Sequence, residues 1–285
     1  MRAALRCIAG TAGGVVMLGL AAPATVATAL GAAGGGAAAT AVTGIVHVVH
    51  PSTSVNTNQS SNWSGYNIGA DYPQVPTGTT FTSVSGQWTV PTATQHTAGH
   101  AEASASWVGI GGGCVDDACT VTDNTLIQAG TEQDVSATGQ VSYGAWWEII
   151  PEPQTSVSLA VSPGNKISVA ISQTSTGQWS IVIKNLTTHK SFSTTTPYSS
   201  SMDTVEWIEE TPLEIGTQGS GVAAMPNLTT VHFTKSTYNG ANPGFQTVDE
   251  MQLNNNNMIE ATPSAPGPAK NSFNDCTWKT SCRAP

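Results

Sequence analysis

Four short segments of this chain combine acids, an amide and large aromatics in patterns that suit hydrolytic chemistry. Val205-Glu206-Trp207-Ile208-Glu209-Glu210 holds three of the chain's eighteen acidic residues. Read as a strand, it sets Glu206, Ile208 and Glu210 on one face and Trp207 and Glu209 on the other. A carboxyl on a face that lines a groove is partly desolvated and suited to general acid–base work. Ordinary exposed strand acids fit the same pattern. Glu206 and Glu210 stand ~13 Å apart at strand rise, beyond the ~5–9.5 Å of a glycosidase carboxylate pair. A glycosidase would therefore draw a partner from another strand, such as Glu148 in Tyr143-Gly144-Ala145-Trp146-Trp147-Glu148-Ile149-Ile150-Pro151. The other two segments are Ser106–Gly113, which carries Trp107, and Leu126–Gly130, which carries Gln128.

Other chemistries find little support. Gly111–Gly113 is followed by neither Lys-Ser/Thr nor a helix, so it is not a phosphate loop. His96 and His100 lie in a Thr/Ala/Gly stretch that reads as loop, and no metal site is expected. No Gly-x-Ser-x-Gly elbow occurs, and no cysteine is placed to be a nucleophile. Cys7 falls in an N-terminal targeting segment. The other four cysteines form two close pairs, Cys114/Cys119 and Cys276/Cys282, whose offsets suit small disulfide loops better than a zinc ribbon. Trp107, Trp146 and Trp147 are also the natural stacking platforms of a non-catalytic carbohydrate-binding module, although adjacent Trp146 and Trp147 must face opposite ways.

The elements that would hold these residues are strands. Short alternating runs broken by Gly, Pro, Asn and Ser/Thr predict strands at 62–68, 80–90, 103–110, 125–131, 141–150, 156–161, 166–173, 179–185, 204–210, 229–233, 247–253 and 272–278. No segment keeps a capped helical period. Many evenly spaced strands without helices predict an all-β sandwich or barrel. Only 9% of residues are charged and the formal net charge is −9, so the basic footprint of a nucleic-acid binder is missing. Arg2 and Arg6, an apolar stretch from Ile8 to Leu20 and the small-residue site Ala27-Thr28-Ala29 predict a signal peptide over residues 1–29. Residues 30–59 read as propeptide or linker, and residues 60–285 as one β-sandwich domain. The mature chain is expected to be secreted, free of the membrane and monomeric, with no cofactor.

Together, Ser61-Asn62-Trp63-Ser64-Gly65, Trp107-Val108-Gly109-Ile110, Leu126–Gly130, Tyr143–Pro151 and Glu206–Glu210 resemble the glutamic peptidases, the eqolisin family. The resemblance implies a concanavalin/lectin-like sandwich of two antiparallel sheets and a secreted endopeptidase active in acid on protein or peptide substrates. It also implies a Gln/Glu catalytic dyad. The family glutamine sits in a Leu-Gln-x-Gly context, matched by Gln128. The family glutamate is the second acid of an Ala-Glu-aromatic-Ile-x-Glu stretch, and counting through the segment puts that role on Glu210. Trp107 matches the groove tryptophan, and Glu148 and Trp63 join it in the implied substrate site. Gly111 stands where the family often has Asp, which bears on specificity or pH optimum. In this chemistry the glutamate takes a proton from water and returns it to the leaving amine, while the amide stabilises the oxyanion.

Overall fold

The computed structural model describes residues 45–46, 51–53, 58–216 and 219–285. The expected signal peptide and most of residues 30–59 lie outside them. Strands of five or more residues in this region are β1 Trp63–Gly69, β2 Ser83–Thr89, β3 Glu102–Gly111, β4 Leu126–Val135, β5 Val141–Ile149, β6 Lys166–Ser175, β7 Gln178–Asn185, β8 Lys190–Pro197, β9 Thr204–Glu210, β10 Val231–Tyr238, β11 Glu250–Asn255, β12 Met258–Pro263 and β13 Phe273–Thr277.

These strands form an antiparallel β-sandwich. One sheet runs β5-β4-β3-β9-β1-β11-β12-β13-β10, and the other runs β10-β2-β6-β7-β8. β10 serves both. Val231–Phe233 pair with β13, and from Thr234 to Tyr238 the strand pairs with β2 across a register shift. A bulge lets one strand turn the corner between sheets without breaking its backbone pairing.

Alternation fills the space between the sheets. Ile167, Val169 and Ile171 of β6 meet Trp179, Ile181 and Ile183 of β7 on one buried face. The opposing sheet contributes Tyr66, Val108, Ile127 and Trp207. Phe233 stacks on Phe273 at 4.8 Å, and Trp207 meets Phe245 edge-on at 4.9 Å. Each such fully buried side chain contributes ~1.5–3 kcal/mol over exposure.

Several strand expectations change: β12 was not among the expected strands, and Thr247–Asp249, expected as strand, form a 3-10 helix ahead of β11. The strand expected over 156–161 reduces to Thr155–Ser156, paired with Trp146 and Trp147. Leu159 and Val161 still bury, but Leu159 N–H bonds the carbonyl of Val157 rather than a neighbouring strand. β8 was not predicted, because Lys190–Pro197 is mostly Ser and Thr; backbone pairing with β7 forms it. The expected small loops close as Cys114–Cys119 and Cys276–Cys282. Among the described residues, no helix is long and apolar enough to cross a membrane.

Candidate active site

Trp207 shows which way β9 faces. Its indole N–H donates across the sandwich to the Ser85 carbonyl of β2 at 2.8 Å. Val205, Trp207 and Glu209 therefore point into the interior. Glu206, Ile208 and Glu210 lie on the outer face of the sheet, as alternation requires.

Strand register then lays rows of residues across that face. The first row is Asn67, Glu206, Gly109, Gln128 and Glu148, from β1, β9, β3, β4 and β5. The second is Gly65, Ile208, Trp107, Gly130 and Trp146. The third is Trp63, Glu210, Ala105, Glu132 and Gly144. Gln128 and Glu206 thus share a row with one strand between them, ~10 Å apart at strand spacing. The residue between them is Gly109, which projects nothing. A side chain there would meet Trp107 and Leu126 at 2.8 and 3.1 Å.

The expected pairing of Gln128 with Glu210 is not one this register allows. Glu210 lies four residues further along β9, ~13 Å down the strand from the Gln128 row. Its carboxylate is instead engaged by two donors. Trp107 Nε1 donates to Oε2 at 2.6 Å, and Asn62 Nδ2 donates to Oε1 at 3.1 Å. Trp63 packs edge-on against Trp107 at 4.8 Å. Glu210 and Trp63 together therefore fix the Trp107 ring beside Gly109.

Gln128 and Glu148 do come together, with Gln128 Nε2 donating to Glu148 Oε2 at 2.5 Å. That bond leaves the second N–H of the amide and its Oε1, which has no hydrogen-bond partner among the described residues. Glu206 is fully buried, and among the described residues neither of its oxygens meets a partner in hydrogen-bonding geometry. Burial pushes its pKa well above the usual carboxylate range; the Thr204 hydroxyl opposes this and the Asp123 carboxylate adds to it.

The interior face carries a different set of acids. Ser106 donates to Glu209 at 2.5 Å and Ser64 to Asp275 at 2.7 Å. Burial raises Glu209 to about 8 and Asp275 to about 7, against the lowering effect of those hydroxyls.

The remaining candidates lie apart. The His96 ring stacks on Trp278 at 3.7 Å and its Nδ1 meets Asn227. Trp107 and Trp146 are fully buried, which denies them the open face that sugar stacking needs. Trp147, facing the other way, lines an open cavity with Ile149, Glu152 and Gln154. Alternation puts Glu206 and Glu210 on one face, but the choice between them needs cross-strand register, which a single segment does not carry. Asn67 and Gly109 emerge only from that register.

The sequence pattern of the Peptidase A4 family matches residues 61–267. The chain is 26% identical over 234 residues to aspergillopepsin-2 of Aspergillus niger, covering 75% of this chain and 77% of that protein. It is 30% identical over 184 residues to scytalidopepsin B of Scytalidium lignicola, covering 62% of each. Its fold is similar to that of scytalido-glutamic peptidase crystallised with a transition state analog inhibitor, with a TM-score of 0.59, 23% identity, and coverage of 76% of this chain and 98% of that one.

Proposed function

The chain belongs to the Peptidase A4 family, the glutamic peptidases, and is a secreted acid endopeptidase; on that premise we propose that Gln128 and Glu206 form its catalytic dyad, with Trp107 and Glu148 positioning substrate and amide. The observation that carries this reading is the shared row, in which an amide and a carboxyl face each other over a glycine. Two side chains reaching inward from ~10 Å leave space for about one water.

The chemistry then follows from donor and acceptor capacity. Ionised Glu206 accepts a proton from the water as its oxygen bonds to the scissile carbonyl carbon. Negative charge gathers on the carbonyl oxygen, and the Gln128 N–H not held by Glu148 donates to it. Gln128 Oε1 orients the attacking water. Glu206 then gives its proton to the leaving nitrogen as the C–N bond breaks, and the carboxylate is regenerated. The row is buried as described, so substrate entry requires this face to open. The same opening hydrates Glu206 and brings its pKa down toward the acidic working range.

The test is digestion of haemoglobin at about pH 3–4, near the reference carboxylate pKa, with pepstatin present to silence aspartic peptidases. Wild type should cleave and Glu206→Gln should not. Cleavage by folded Glu206→Gln, with loss in Glu210→Gln, would return the base to Glu210. We further propose that the peptidase domain begins near Ser60.

A further inference from the structure

Asn67 stands next to Glu206 in the first row and is fully buried. Its Nδ2 donates to the Cys114 carbonyl at 2.9 Å and to Tyr72 Oη at 2.7 Å. A carbonyl only accepts, so the bond to Cys114 fixes which end of the amide carries nitrogen. Oδ1 must then point the other way, where it has no hydrogen-bond partner among the described residues.

Gly113 shows where Oδ1 points. A methyl group on Gly113 would sit 1.7 Å from Asn67 Oδ1 and 2.7 Å from Glu206 Oε1. Both oxygens therefore lie against a single point, near enough for one water, or a small shift of either side chain, to link them by a proton. The start of the 112–123 loop is held against this row by two adjacent residues. Gly113 N–H donates to Thr204 Oγ1 at 3.1 Å, and Cys114 takes the Asn67 donor. The glycine run that is no phosphate loop thus has a use, because residue 113 can carry no side chain where the loop crosses two polar groups.

An amide oxygen is an acceptor only, and so is an ionised carboxylate. Placed side by side and buried, they repel. A neutral carboxyl donates its proton to the amide and both groups are satisfied. We propose that Asn67 is a positioning residue for Glu206, its locked amide oxygen holding the proton of the neutral carboxyl until water and substrate occupy the face. The groups around Glu206 agree with this assignment. Thr204 lies on its own strand, Asn67 and Tyr72 on the β1 side, Gly109 on β3, Gln128 beyond it on β4, and Asp123 in the loop. None of these is a cation that would favour the ionised form.

The inference rests on Glu206 being the base, and the experiment separates the two. The readout is the acid limb of the kcat/KM profile, which reports ionisation of the base in free enzyme. Asn67→Leu removes the acceptor, so the limb should move down by about one pH unit, the worth of one hydrogen bond to the neutral form. Asn67→Asp keeps the volume but puts a second carboxyl beside Glu206, so the limb should move up. A merely structural role would lower kcat/KM at every pH and leave the limb in place. If Asn67→Leu does not fold, Asn67→Asp decides alone, and an unmoved limb in that variant overturns the proposal. Glu206→Gln is run beside them. If it is inactive while the Asn67 limbs stay fixed, the dyad stands and the role of Asn67 falls; if it is active, the dyad itself falls.

Discussion

Glu206 and Glu210 lie on the same face of the same strand, two turns of the pleat apart, and their surroundings are opposite. Glu210 has an indole and an amide donating to its two oxygens. Glu206 faces an amide oxygen, a glycine, the Thr204 hydroxyl and a distant amide side chain, and among the described residues neither of its oxygens has a partner in hydrogen-bonding geometry. A carboxylate with its charge satisfied by fixed donors is a structural part, because moving its proton would break those bonds. One in a dry place, with a nearby hydroxyl but no cation or fixed N–H donor, can change protonation state with fewer bonds to break. The difference separates the acid that holds a tryptophan in place from the acid proposed as the base.

The sharpest way to break that comparison is to remove each carboxylate in turn. Glu206→Gln should lower kcat by at least ~10³ with the melting temperature unchanged or raised, since no donor loses its acceptor; a melting temperature several degrees lower would mean Glu206 is structural after all. Gln128→Ala should lower kcat by ~10²–10³, the usual cost of an oxyanion donor, read with a peptide substrate at saturation. Glu210→Gln should do the reverse. Its amide oxygen can still accept from Trp107 but its nitrogen faces Asn62, so a stability loss of ~1 kcal/mol in urea unfolding is expected with activity within about fivefold of wild type.

The interior acids sharpen the contrast from the other side of the sheet. Glu209 and Asp275 have folded pKa values raised to about 8 and about 7. A raised folded value stabilises the fold fully below the unfolded carboxylate pKa, and that stability is lost as pH climbs through the folded values. The urea midpoint should therefore hold in acid and fall steadily between about pH 5 and pH 8. In Glu209→Gln that fall should be shallower, because the amide stays neutral throughout. A midpoint that rises over the same interval would contradict the burial of two neutral acids.

Much of this was legible in the sequence, and what was missed follows from pairing. Alternation in Lys166–Ser175 and Gln178–Asn185 announced two core strands because their apolar residues recur every second position. β8 stayed hidden because Ser and Thr on a solvated edge leave no apolar period. The faces of β9 were readable for the same reason as the core strands. Which of its acids stands opposite Gln128 was not, because a strand's own residues fix its face while its neighbours fix its row. Resemblance to a family led to the right fold; counting along one segment selected Glu210, the acid bound to Trp107, where the proposed dyad pairs Gln128 with Glu206.

The alternation of β9 has a consequence for how this segment can change over time. Glu206 and Glu210 face one side of the sheet and Glu209 the other, and each is buried among its own set of partners. Inserting or deleting one residue between Thr204 and Glu210 would reverse the pointing of everything beyond the change, bringing a carboxyl made for the dry interior to the working surface. The strand can exchange side chains one at a time, but it has no freedom in length.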